Sequence, residues 1–265
     1  MNKTLLSSGL IAGAVAGLVM ALLQFWLIQP LIVQAERYET GELVLKFTEA
    51  SPSETTVIAA EEPAAVGNAH PDMDAGNGFD VGRNLQTVLF LVLTWGGFGL
   101  LASAAVAALS AFERTDQVSW SGIALTGFAA FCLAPALGLP PELPGMQAAD
   151  LEARQVWWIS TAIATSAGAG LIVLWRKPQA FLAALVIGLS PHVVGAPVLD
   201  EHLTAVAPPE LSALFSARVI GTNLVGWIVL GMILARMSGL SAVPENLPGR
   251  HANTGRPGLD RPGKT

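Results

Sequence analysis

Six stretches of this chain contain no Asp, Glu, Lys or Arg, and each is about long enough to cross a lipid bilayer: 4–35, 84–112, 117–141, 155–175, 178–199 and 219–235. A helix rises about 1.5 Å per residue, so roughly 20 apolar residues span a hydrocarbon core about 30 Å thick. The last run is the shortest, and residues 211–217 extend it past the single Arg218. Any one run could be a buried helix of a soluble domain. Six of them leave too little polar surface to wrap a water-soluble globule, in a chain that is 52% hydrophobic and only 13% charged. The mean hydropathy of +0.54 agrees. The runs are continuously apolar rather than alternating in and out, which points to helices and not a β-barrel. Cys132 is the only cysteine, so the chain has no intrachain disulfide and no cysteine-pair redox or metal motif.

The expected fold is therefore an all-α polytopic membrane protein. Its membrane bundle spans 1–237, with six transmembrane helices at about 5–30, 85–111, 119–139, 156–175, 179–196 and 214–236. A long extracytoplasmic loop covers 37–83, and a disordered cytoplasmic tail covers 238–265, rich in Pro and Gly. Lys3 followed by an apolar stretch also resembles a signal peptide. The stretch is much longer than the roughly 7–15 residues of such a core and no A-x-A site closes it, so it reads as a retained helix ending near Pro30. With both ends on the cytoplasmic side, nine of the 14 Lys and Arg fall inside and five outside, the asymmetry of the positive-inside rule. Sixteen of the 20 acids then face outward, where they raise the local concentration of cations.

The helices group as three hairpins with a shared grammar. Each outgoing helix ends at prolines followed by an acid: Pro30 then Glu36, Pro135 and Pro140 then Glu142, Pro191 and Pro197 then Asp200 and Glu201. Each returning helix is introduced by an arginine: Arg83, Arg154 and Arg218. Pro-Pro-Glu-Leu recurs at 140–143 and 208–211. A pseudo-repeat would explain the pattern. So would the general habits of proline at helix ends and arginine at interfaces, and both readings stand.

Motifs for catalysis are scarce. Residues 258–265 satisfy the G-x-x-x-x-G-K-T pattern of a phosphate-binding loop. That loop works only between a strand and a helix whose amides hold phosphate, and here no strand precedes it and Pro262 removes a donor. It is a chance match, and ATP-driven transport would need another chain. No nucleic-acid signature is present. His192 lies inside an apolar run between Pro191 and Pro197, prolines that can leave backbone carbonyls unpaired. An imidazole there could ligate a divalent metal, or simply bond a carbonyl near the interface. Asp200, Glu201 and His202 offer imidazole and carboxylate ligands suited to first-row transition metals, though loop residues of this kind are more often just solvated. His70-Pro71-Asp72-Met73-Asp74 is a weak metal signal in the first outer loop. Asn223 is costly in lipid unless it faces a partner or a cavity. Gly9, Gly13 and Gly17 make a smooth strip for close helix packing.

At these residues the sequence resembles the CbtA family of predicted cobalt transporter subunits. The resemblance rests on 18–39 (Gln24, Pro30, then Ala35-Glu36-x-Tyr38-Glu39), on LAPALGLPPELPGMQAADLEARQVWW at 133–158, on PHVVGAP at 191–197, and on 209–227 with Asn223. Members often carry several histidines in the first outer loop, where this chain has His70 alone. The resemblance implies a bacterial inner-membrane protein for cobalt uptake, linked to cobalamin biosynthesis. It also implies a small CbtB-type membrane partner; a homo-oligomer is a further option. No bound cofactor is expected: Co²⁺ is cargo, and Ni²⁺ or Zn²⁺ would suit the same ligands. In that setting Glu36, Glu142, Asp200, Glu201 and His202 gather the cation, and His192 with Asn223 pass it inward. The alternative is a non-transporting assembly or regulatory subunit of a metal permease. An enzyme is not expected, because the apolar runs supply only His192 and Cys132, far apart in sequence.

Overall fold

The computed structural model describes residues 3–43, 81–114, 119–199 and 207–237. Among them 83% are helical and no strand occurs. The first helical rod consists of α1 (Lys3–Leu23), a π-helical turn (Gln24–Ile28) and α2 (Gln29–Glu39). Next come α3 (Val81–Ala111), then α4 (Trp120–Phe128) running through a second π turn (Ala129–Leu133) into the short α5 (Ala134–Ala136). Then follow α6 (Leu151–Trp175), α7 (Pro178–Val194) and α8 (Pro209–Met237). Among the described residues four helices are long and apolar enough to cross a membrane, Leu5–Glu39, Val81–Ala111, Leu151–Trp175 and Pro209–Met237. Trp120–Ala136 and Pro178–Val194 are shorter apolar helices. The tail expected over 238–265 and most of the long first loop lie outside the described residues.

Helix ends differ from those expected because caps, not charges, set them. The first rod does not stop near Pro30 but continues to Glu39. A proline inside a helix removes an amide donor and presses on the carbonyl four residues back. Here the preceding π turn widens the backbone, with Gln29 N–H donating to Gln24 O, and the proline falls at the start of a renewed α-helix. The same device precedes Pro135, where Ala134 N–H donates to Ala129 O. α6 starts at Leu151 rather than near 156, because the Asp150 carboxylate accepts from Ala153 N–H at 2.9 Å and caps it. α7 stops at Val194, two residues early, where Gly195 takes φ +92°. Pro191 sits inside α7 without a π turn. The carbonyl it leaves without its usual amide, that of Ile187, accepts from the Ser190 hydroxyl at 2.7 Å.

Packing begins with the glycine strip. Gly9, Gly13 and Gly17 lie directly against the α3 backbone, and a Cβ at Gly13 would overlap the Trp95 carbonyl and approach Gly96 Cα to 2.7 Å. Fully buried Ser103 seals the contact by donating to Leu5 O at 3.0 Å. Such close approach replaces hydrophobic driving force with backbone dispersion contacts, the usual economy of helix pairs in lipid. α8 packs on both α1 and α4, and it touches both π turns. At its middle, Trp227 meets Trp95, Phe98 and Phe131 with ring centroids 5.0–6.1 Å apart. This aromatic cluster is the centre of the larger core, with Leu230 and Leu234 beneath it. A second core joins α2 to the start of α8 through Leu31, Phe215 and Leu143 of the 137–150 loop.

Candidate functional site

At the end of the bundle that carries the 137–150 loop, a cavity of about 650 Å³ opens between α3, the second π turn, α6 and α8. Each wall contributes a polar group: Thr94 from α3, Cys132 from the π turn, Glu142 from the loop, Arg154 and Gln155 from α6, and Asn223 from α8. Local structure explains the placement. The Ser216 hydroxyl of α8 donates to Pro141 O and Leu143 is almost fully buried, so the loop is tied down on both sides of Glu142. The Glu142 carboxylate meets the Arg154 guanidinium at 3.1 Å, both side chains about one-third exposed. Asn223 donates its amide to Val219 O at 2.8 Å, so its carboxamide oxygen is the end left to a ligand. A cavity of this size holds a hydrated divalent ion with room to spare, since each water occupies roughly 30 Å³.

Of the seven residues singled out from the sequence, Glu142 and Asn223 share this cavity. Glu36 stands apart, its carboxylate 3.5 Å from Arg83 at the start of α3. His192 is half-buried on α7, its ring edge-on to Trp157 with centroids 5.4 Å apart, and it is not among the residues lining the cavity. The neighbouring Pro191 carbonyl is not unpaired, because it accepts from Trp157 Nε1 at 3.1 Å and from Gly195 N–H at 3.0 Å. Asp200, Glu201 and His202 lie outside the described residues, as does His70. Among the described residues no three of His, Cys, Asp and Glu converge as metal ligands.

Sequence reasoning missed Arg154 as a partner of Glu142, and Thr94, Cys132 and Gln155 as cavity walls. Arg154 had a visible signal, since it recurs in the acid-then-arginine grammar with Arg83. Both arginines turn out to pair with the acid that the grammar set before them, Glu36 in the last turns of α2 and Glu142 in the 137–150 loop. A second cleft, about 790 Å³, runs between α6 and α7 and is edged by Asp150 and Glu152 beside Ser190 and Pro191.

A family described as "Probable cobalt transporter subunit (CbtA)" matches residues 2–238, a span that includes every residue lining this cavity. No curated protein and no solved structure is significantly similar to the chain.

Proposed function

The chain belongs to the CbtA family of probable cobalt transporter subunits, and from that premise we propose that it is the membrane-embedded part of a cobalt uptake system linked to cobalamin biosynthesis. It is a multi-pass membrane protein and a subunit, so it works within a complex; the partner on this reading is a small CbtB-type membrane protein. In the proposed topology all six apolar helices cross the bacterial inner membrane as three hairpins, with both ends cytoplasmic. The two 17-residue helices reach about 26 Å, close to the hydrocarbon thickness, and non-helical residues 137–139 and 195–199 extend them at the loop end. The Glu36–Arg83 and Glu142–Arg154 pairs support this topology, because the first ties the end of α2 to the start of α3 and the second ties the 137–150 loop to the start of α6.

Cobalt is cargo on this reading, not a resident cofactor. Glu36, Asp200, Glu201 and His202 gather it at the loop end, His192 provides an imidazole station on α7, and Glu142 with Asn223 receive it in the cavity. The observation that carries this route is the meeting of a carboxylate and a buried-helix carboxamide in one cavity of a family-matched transporter subunit. Oxygen ligands and hydration water suit Co²⁺ in transit, and a route must not hold its cargo so tightly that release fails. The chain has no proposed enzymatic role.

The test is radiolabelled cobalt uptake into vesicles containing this chain and its small partner, with and without a proton gradient. Uptake that His192→Ala abolishes, with insertion unchanged, supports the route through His192; unchanged uptake removes His192 from it. The second reading, a non-transporting assembly subunit, draws on the absence of converging metal ligands among the described residues. It expects no uptake from this pair of chains alone.

A further inference from the structure

Another interhelical cavity, about 670 Å³, lies at the opposite end of the bundle between α3, α4 and α6, reaching from Phe112 and Ser119 to the aromatic cluster. One residue, Phe131, lines both this cavity and the loop-end cavity of Glu142 and Asn223. The two spaces therefore approach each other at the Phe131 side chain. Phe131 is stacked on Trp227 with an interplanar angle of 11° and centroids 6.1 Å apart, and it also contacts Phe98 and Trp158. Trp227 is pinned, since Gly127 leaves only enough space for its ring and Trp95 packs on its other side. Phe131 is carried on the π turn Ala129–Leu133, whose backbone is not locked into the α-helical register.

We propose that Phe131 is the movable partition between two half-channels, closing the cargo route in this conformation and opening it when the π turn shifts. The proposal rests on the transport reading above and adds to it the place where the route is interrupted. An aromatic constriction between two wider spaces blocks a hydrated ion by excluding water, with no charge needed. A π turn holds one residue more than the α-helical register, and moving that extra residue along the helix swings a side chain by about 100°. Pro135 lies two residues beyond the end of the turn, so the strain of such a shift is taken up where the hydrogen-bond ladder is already interrupted.

Cys132, the only cysteine of the chain, lines the loop-end cavity, and Thr126 on the same helix lines the opposite one. Sidedness of labelling by a charged, membrane-impermeant thiol reagent therefore reads the partition without any cobalt. In vesicles of defined orientation, Cys132 is expected to react only from the loop end. Thr126→Cys in a Cys132→Ser background is expected to react only from the other end. Phe131→Ala should make each position reactive from both faces, raising the slow-side rate by about tenfold or more, while Phe131→Leu keeps most of the sidedness. If Cys132 and Thr126→Cys react from the same face without any change at Phe131, the partition does not exist. If Phe131→Ala leaves sidedness intact, the partition is not Phe131. Absence of cobalt uptake in unmutated vesicles would instead count against the transport reading and leave the labelling result standing.

Discussion

The first π turn, Gln24–Ile28, and the second, Ala129–Leu133, each end two residues before a proline, Pro30 and Pro135, and each rod then leads to an acid that pairs with the arginine of the following helix. Their surroundings differ. The first is covered by α8, whose Arg218 guanidinium donates to the Leu27 carbonyl at 2.8 Å inside the turn. The rod that carries it is held against α3 by glycine contacts along α1. The second turn has a cavity on either side and only aromatic rings between them. The same backbone device therefore serves as a fixed joint where its carbonyls and neighbours are satisfied. On the proposal above it can shift where cavities flank it. Local irregularity alone does not mark a functional element; irregularity beside empty space does.

The sharpest way to break the comparison is to damage the fixed side. Gly13→Leu would drive a side chain into the Trp95 backbone, and overpacking of this kind costs about 1–3 kcal/mol or more. The expected outcome is loss of the folded, monodisperse protein in detergent by size exclusion and protease resistance. Gly97→Leu on α3, where an added Cβ meets nothing within 4 Å, should remain folded. Next in size is Arg218→Leu, which deprives the Leu27 carbonyl of a charged donor. A loss of about 1–3 kcal/mol is expected, seen as a lower thermal midpoint. Cobalt uptake should fall only as far as the folded fraction does. An uptake defect far exceeding the stability loss would mean that the first turn moves during transport too, and the contrast between the turns would fail.

The movable side predicts the reverse split. Asn223→Leu removes an amide bonded to its own helix backbone, so stability should change by less than about 1 kcal/mol. Uptake should fall by about tenfold, equivalent to roughly 1.4 kcal/mol on the barrier, because the carboxamide oxygen faces the cargo route on this reading.

Much of this contrast was not visible before the structure. The apolar runs and the glycine strip were legible, since lipid as solvent imposes uninterrupted hydrophobic segments and small residues recur every fourth position where backbones touch. The prolines were legible as punctuation but misread as helix ends at Pro30. A π turn has no residue signature, and its effect is to let a helix survive a proline that would otherwise stop it. The sharing of one cavity by Glu142 and Asn223 was not foreseen, since the sequence reading set Glu142 among the gathering acids and Asn223 beside His192. His192, expected to work with Asn223, instead packs on Trp157 outside that cavity, and no sequence pattern could tell this, because the side of α7 that meets α6 is tied by Trp157 reaching the Pro191 carbonyl. The role of Phe131 was equally hidden: one aromatic among apolar neighbours looks like core until the cavities on both sides are seen.

The smallest expected effects belong to the two ion pairs, and they refine the comparison most finely. Glu36–Arg83 and Glu142–Arg154 are both partly solvent-exposed, and pairs of this kind contribute only about 0–1 kcal/mol. Glu36→Gln and Glu142→Gln should therefore leave the thermal midpoint nearly alike. Their chemistry differs in one respect, namely that only the Glu142 carboxylate borders the cavity. Removing it deletes a negative charge from the route and leaves Arg154 uncompensated there, which repels a divalent cation. Glu142→Gln should then raise the cobalt concentration needed for half-maximal uptake by several-fold, while Glu36→Gln should shift it little. Relief of the Glu142→Gln defect by adding Arg154→Gln would assign the effect to charge at the cavity mouth. A defect of equal size at Glu36 would instead assign it to the summed field of the acidic face, and the cavity would lose its special standing.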